Sequence, residues 1–136
     1  MAAFAQHSTA PTLADIEAIA AEVYAAIPGE LVAQVTGVAI RVVDFPDEAT
    51  IEAMELESEF DILGLYAGTS LDQKSFGDVA PDVDMIYLYR RPLLEYWIET
   101  GEDLVHLVRH VLIHEIGHHF GFSDADMERI EAGAGA

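Results

Sequence analysis

Two histidines and a glutamate stand in a spacing that suits a metal ion. His114, Glu115 and His118 form the pattern His-Glu-x-x-His, which occurs in zinc sites built on helices. An α-helix turns by about 100° per residue, so positions four apart lie on one face, one turn apart. Two imidazole rings so placed can each direct a nitrogen at the same ion. The spacing therefore predicts that His114 and His118 bind one zinc ion.

The glutamate of the pattern is predicted to have a different task. Glu115 lies about 100° around the helix from His114, which is too far to join the ligands easily. A bound zinc ion lowers the pKa of its water to about 7, and a nearby carboxylate can accept the proton of that water. The pattern therefore predicts Glu115 as the general base of a hydrolytic reaction.

The residues after the second histidine offer a third ligand. A catalytic zinc usually has three protein ligands, so His114 and His118 alone leave the site incomplete. Gly121 can adopt the left-handed conformation that ends a helix and turns the chain. Such a turn brings Asp124 back towards the histidines, and a carboxylate is an acceptable zinc ligand. The predicted metal ligands are therefore His114, His118 and Asp124.

Other acids and histidines nearby are alternatives with weaker support. Asp126 and Asp103 are rivals of Asp124, and a water molecule could also fill the third position. His110 lies one turn before His114; each turn rises by roughly 6 Å, so three consecutive turns cannot all bind one ion. His110 is therefore predicted to support the ligands or to pack, with a direct contact to the metal as the weaker alternative. The remaining histidines are not predicted as ligands: His7, His106 and His119.

Residues 111–124 resemble the Asp-type zincins, whose pattern is His-Glu-x-x-His-x-x-Gly-x-x-Asp. The chain is also similar to the compact bacterial zincin-like metallopeptidases, with weaker similarity in residues 62–68 and 86–92. The resemblance covers most of residues 12–130. It implies a small α+β domain with one zinc site and a peptidase activity.

Local patterns predict the elements that must position the site. Strands are expected over residues 35–43, 62–66 and 85–90, where β-branched and aromatic residues are frequent. Gly64 inside the second strand indicates either an edge strand that lines a peptide cleft or a close packing contact. Tyr66, Tyr87 and Tyr89 are candidates for a hydrogen bond to an oxyanion, but each is better explained as an ordinary half-buried sheet tyrosine.

Helices are predicted around this sheet. Thr12 and Asp15 have the spacing of a capping box, and Pro28 ends the helix that they begin. Pro92 stands early in a helix that Gly101 ends. The metal helix follows, and it carries an apolar stripe that would hold the histidines still: Leu104, Leu107, Val108, Val111, Leu112 and Ile116.

Composition restricts the class of protein. A chain of 136 residues with 51% apolar content is expected to form one domain over residues 12–130, with a disordered segment 1–11 and a flexible tail 131–136. A net charge of −19 argues against nucleic acids and anionic membranes as partners. The acidic residues are expected mainly to keep the protein soluble, and attraction of basic peptides is the alternative. The absence of cysteine and of a leader-like or membrane-spanning segment predicts a cytoplasmic location.

The sequence therefore predicts an α+β, zincin-like fold: a small twisted mixed sheet with helices on one side, the metal-binding helix among them. The leading functional hypothesis is a zinc-dependent metallopeptidase that acts on a peptide or protein substrate. One alternative is a non-catalytic metal-binding or protein-interaction domain, which could form a homodimer through an open sheet edge. Another is a metal hydrolase that acts on small amides or esters.

Overall fold

The computed structural model describes residues 9–27, 29, 38–67 and 84–134. These residues contain a three-stranded sheet in which the last strand along the chain lies in the middle. The central strand is parallel to one neighbour and antiparallel to the other. The strands are β1 (Ala39–Val43), β2 (Gly64–Ala67) and β3 (Met85–Tyr89), in the order β1-β3-β2.

Five helices occur in this part of the chain. The longest of them carries the His-Glu-x-x-His pattern and is followed after a short turn by the last one. No helix in the described ranges has the length and apolarity needed to cross a lipid bilayer. The helices are α1 (Leu13–Ala25), α2 (Glu48–Ala53), α3 (Arg90–Thr100), α4 (Leu104–His119) and α5 (Asp124–Ala134).

Side-chain hydrogen bonds and glycines mark the ends of the helices. Thr12 and Asp15 form the expected capping box at the start of α1, with bonds of 2.8 and 3.1 Å. Asp103 caps α4, since its Oδ1 accepts a hydrogen bond of 3.0 Å from the backbone N–H of His106. Gly101 ends α3 with a φ of 71°, and Gly121 follows α4 with a φ of 77°.

The core lies between one face of the sheet and helices α1 and α4. Alternate residues of β3, Ile86 and Leu88, are fully buried on this face. All six residues of the predicted stripe on α4 are buried against it. Burying an aliphatic side chain contributes about 1.5–3 kcal/mol, so this stripe anchors the helix that carries the histidines.

Two glycines allow close approach of elements to α4. A Cβ on Gly64 would lie 2.7 Å from Cγ1 of Val111 and 3.0 Å from the backbone oxygen of Tyr87. A Cβ on Gly117 would lie 2.7 Å from Cγ of Met127, which is fully buried. The close approach of α4 to β2 thus accounts for Gly64, and the second contact seats α5 on α4.

Residues on both sides of the predicted domain boundaries make contacts with the rest of the structure. Pro11, from the segment predicted as disordered, is buried, and its carbonyl oxygen accepts a hydrogen bond of 2.7 Å from Nε of Arg90. Helix α5 continues to Ala134, within the segment predicted as a tail over residues 131–136. The physical reason is that Met127 and Ile130 are buried and hold this helix on the core. Residues 1–8, 35–37 and 135–136 of the predicted segments lie outside the described residues.

Candidate metal centre

Helix α4 presents His110, His114 and His118 on successive turns, and His106 lies one turn earlier. The ring centroids of His110 and His114 are 4.0 Å apart, and those of His114 and His118 are 5.9 Å apart. This line of rings follows from their spacing of four residues on a regular helix. Each ring can therefore meet groups that approach from the following helix.

The turn after α4 brings Asp124 beside the second histidine. Oδ1 of Asp124 lies 3.8 Å from Nε2 of His118, and both side chains are exposed. Two ligands that each lie about 2.0–2.2 Å from one zinc ion are at most roughly 4.4 Å apart. The His118–Asp124 separation is therefore compatible with a shared ion, and the left-handed Gly121 is the residue that makes the turn.

The first histidine faces a different carboxylate. Nε2 of His114 lies 3.4 Å from Oε2 of Glu131, a residue of α5 that the sequence analysis does not single out. This nitrogen has almost no solvent-accessible surface and makes no hydrogen bond of acceptable geometry. A buried ring nitrogen without a hydrogen-bond partner is costly, and metal coordination would satisfy it.

Glu131 contacts His110 through its other oxygen. The separation between Oε1 of Glu131 and Nδ1 of His110 is 2.8 Å, the distance of a hydrogen bond. Within the described ranges, His110, His114 and Glu131 are the group of potential ligands whose ligating atoms all lie within 4.8 Å of one another. This group contains one of the three ligands predicted from the sequence.

A signal for Glu131 is present in the sequence. Asp124 and Glu131 are seven residues apart, so on a helix they project from the same side, two turns apart. Met127 lies between them and is the residue that packs against Gly117. A helix that starts at Asp124 therefore places both carboxylates towards α4, whereas the sequence prediction assigns residues from 131 onwards to a tail.

The electrostatics of His114 favour a metal ligand. Burial is the main cause that lowers its pKa below the ordinary value, and the neighbouring His110 lowers it further. Glu131 acts in the opposite direction without reversing the shift. The ring is therefore neutral at pH 7, and its lone pair can bind a cation.

Glu115 lies between α4 and the strand β2. Its Oε1 accepts a hydrogen bond of 3.2 Å from the backbone N–H of Tyr66. Burial raises the pKa of Glu115, while this hydrogen bond and the nearby His118 lower it to a smaller extent. A carboxylate with a raised pKa is a stronger base once it is ionised.

The tyrosine candidates have other partners. The hydroxyl of Tyr66 donates a hydrogen bond of 2.7 Å to Asp84, and its ring stacks on His119 at a centroid distance of 3.9 Å. Burial and this hydrogen bond raise the pKa of Tyr66. Tyr87 and Tyr89 line a surface pocket with Arg41, on the sheet face opposite α4.

The rival acids are engaged at helix starts. Asp103 caps α4, far from the second histidine. Asp126 accepts a hydrogen bond of 3.4 Å from the backbone N–H of Ser123 and so belongs to the first turn of α5. Neither contact places these carboxylates beside His114 or His118, which favours Asp124 as the ligand next to the second histidine.

The fold and the histidine helix define a compact α+β domain with a candidate metal site between its last two helices. The family model of zincin-like metallopeptidases matches residues 35–134, and the chain belongs to that family. A search of curated proteins found no match. The α+β fold with a small mixed sheet, predicted from the sequence, is confirmed.

Proposed function

We propose that this protein is a zinc-dependent peptidase in which His114, His118 and Asp124 hold one zinc ion and Glu115 is the general base. The observation that carries the proposal is the position of Glu115: its carboxylate touches the backbone of the strand β2 and lies one residue from the first histidine. Membership of the zincin-like metallopeptidase family supports the reaction class.

The residues present fit a zinc ion. Two imidazoles and a carboxylate are a common catalytic donor set. The buried Nε2 of His114, which has no hydrogen-bond partner, is the atom that most needs a cation. When bound, zinc supplies a Lewis acid that polarises the scissile carbonyl and acidifies water.

The strand β2 offers a place for an extended peptide. The backbone N–H of Tyr89 donates to the carbonyl oxygen of Leu63, so alternate residues pair with β3. In this register Gly64 and Tyr66 direct their backbone groups away from β3, and the N–H of Tyr66 reaches Glu115. A peptide that adds alongside β2 would therefore lie next to the general base.

Glu115 would move the proton in hydrolysis. Its carboxylate accepts a proton from the attacking water, whose oxygen forms a bond to the carbonyl carbon of the peptide. The carboxylic acid then gives the same proton to the amide nitrogen as the carbon–nitrogen bond breaks. The products are an amine and a carboxylic acid, which loses its remaining proton to solvent, and Glu115 is again a carboxylate.

The test is hydrolysis of a peptide library by the wild type and by Glu115→Gln. The variant removes the base but keeps the size of the side chain, so we expect bound zinc to be retained and hydrolysis to fall by about 10²–10⁴-fold. Glu128→Gln is the matched control, because Glu128 is exposed on α5 and should have no effect. Hydrolysis by Glu115→Gln at the wild-type rate would rule out this mechanism.

A second function is favoured by Glu131. Its carboxylate beside His114 gives the two helices a further protein ligand. A zinc ion with four protein ligands has no open position and is structural. The domain would then be a non-catalytic metal-binding or interaction module.

X-ray absorption of the zinc-loaded protein distinguishes the catalytic site from the structural site, because a catalytic site retains a water ligand. Small amides and esters in the activity screen test the remaining alternative.

A further inference from the structure

We propose that His110, His114 and Glu131 form a second cation-binding set, one helical turn before the pair formed by His118 and Asp124. Both this set and the ligands proposed for catalysis use Nε2 of His114, so they are alternative positions for one ion, while the carboxylate and the other histidine of this set are different residues. The inference goes beyond the proposed function, because it concerns where a metal ion binds and not whether a peptide is cleaved.

The geometry of this set is already close to that of a metal site. Glu131 places Oε1 at 2.8 Å from Nδ1 of His110 and Oε2 at 3.4 Å from Nε2 of His114. The two rings are tilted by 33° at a centroid distance of 4.0 Å. One ligating atom from each residue lies within 4.8 Å of the others, so small side-chain rotations would bring all three to one ion.

Burial adds an independent reason for a cation. Only 14% of the Glu131 side chain is exposed. Its carboxylate faces the imidazole rings of His110 and His114, and Nε2 of His106 lies 4.0 Å from its Oε1. A shielded carboxylate is stabilised by a positive charge nearby. Nε2 of His114 is buried without a hydrogen bond, and a divalent ion would satisfy both groups.

An ion can reach the set from solvent. The side chains of His110 and His114 are 47% and 23% exposed, so solvent reaches the side of the set that these two residues form. Two imidazoles and one carboxylate leave coordination positions for water. This donor set suits divalent first-row transition metals such as Zn²⁺ and Co²⁺.

The decisive variant removes the ligands that belong only to the proposed catalytic set and leaves His110, His114 and Glu131 unchanged. In the full chain, His118→Asn with Asp124→Asn eliminates both ligands that belong only to the catalytic set. We expect this double variant to bind one equivalent of Zn²⁺ or Co²⁺, measured by calorimetry and by metal analysis after dialysis. A double variant that binds neither ion would overturn the inference.

A carboxylate on the same helix provides the matched comparison. Adding Glu131→Gln to the double variant should weaken binding about tenfold or more, whereas adding Glu128→Gln, which removes the same charge from an exposed position, should leave it unchanged. Equal affinities for the two triple variants would show that Glu131 is not a ligand, and the inference would fail.

A second pair of variants guards against loss of folding. His110→Asn and His106→Asn each remove an exposed histidine from α4, and only the first should weaken binding in the double-variant background. Circular dichroism is the control that tests whether each variant is folded. These measurements need no peptidase activity. Metal binding by the double variant together with an inactive wild type would therefore refute only the proposed function, and the reverse pattern would refute only this inference.

Discussion

At the scale of single residues, Asp124 and Glu131 each lie beside a different histidine of α4. Asp124 lies by His118 at 3.8 Å, and Glu131 lies by His114 at 3.4 Å. The exposed Asp124 keeps its freedom to rotate, while Glu131 is held by its contacts with two rings. Metal binding to the catalytic set therefore requires Asp124 to become ordered, which costs side-chain entropy.

Asp124→Asn tests the third ligand. The amide has no negative charge, so we expect zinc affinity to fall by about tenfold or more, measured by competition with a chromogenic chelator. Asp126→Asn is the control, because its side chain contacts Ser123 and not a histidine. Equal losses in the two variants would contradict the assignment of Asp124.

Tyr89 provides a pH prediction. Burial, and to a smaller extent Asp47, raises its pKa to about 12. The unfolded chain loses this proton near pH 10, so the folded state binds more protons between about pH 10 and 12. The contribution of Tyr89 to stability is therefore complete below about pH 10 and is lost as the pH rises towards 12.

Denaturant unfolding at several pH values tests whether the protein loses stability as the pH rises above about 10. Tyr89→Phe should reduce the decline in the free energy of unfolding between about pH 10 and 12. Tyrosinate absorbance of the folded variant should also lack the group that titrates near 12. A wild-type stability that increases over this range would contradict the prediction.

At the scale of elements, the crossing of α4 and α5 decides which side chains meet. Gly117 and Met127 are in direct contact, and Met127 lies between Asp124 and Glu131 along α5. Any change in this contact alters both histidine–carboxylate distances together. The proposed metal site therefore depends on the helix pair and not on α4 alone.

Gly117→Ala tests this dependence. The added methyl group would lie 2.7 Å from Cγ of Met127, and such overpacking costs about 1–3 kcal/mol. We expect lower stability in denaturant unfolding and weaker zinc binding, although no ligand is changed. Met127→Ala in the same chain should restore part of the zinc affinity, because it removes the atoms that clash. Unchanged stability and zinc affinity in the Gly117→Ala variant would show that the contact is not limiting.

Charge acts at the scale of the whole molecule. With 25 acidic and 6 basic residues, the chain carries −19, and residues 47–61 contain seven of the acids without a base. Such a field raises the local concentration of cationic ligands and is screened by salt. The preference for basic peptides stays a prediction.

The salt dependence of hydrolysis tests the predicted preference for basic peptides. For a basic peptide substrate, kcat/KM should fall as NaCl increases from about 0.01 to 1 M, because the Debye length shortens from about 30 to 3 Å. An acidic peptide of equal length is the control and should show the opposite trend. Identical salt profiles for the two peptides would exclude electrostatic selection of substrates.

Much of the local structure was accessible without coordinates. The capping box of Thr12 and Asp15, the turn at Gly121 and the buried stripe of α4 follow from short-range sterics and periodicity. The length of α5 was underestimated, because Gly and Ala near its end obscure a helix that is held by buried Met127 and Ile130. The single-domain boundaries, the cytoplasmic location and a homodimer stay predictions.

The sequence alone was enough to propose the site residues His114, Glu115, His118 and Asp124, because they lie on one helix and on the turn that follows it. The part played by Glu131 was decided only by tertiary structure. Its meeting with His110 and His114 depends on the distance and angle between two helices, which are set where Met127 packs on Gly117. Periodicity along one helix states which side a residue faces, but packing determines what it faces.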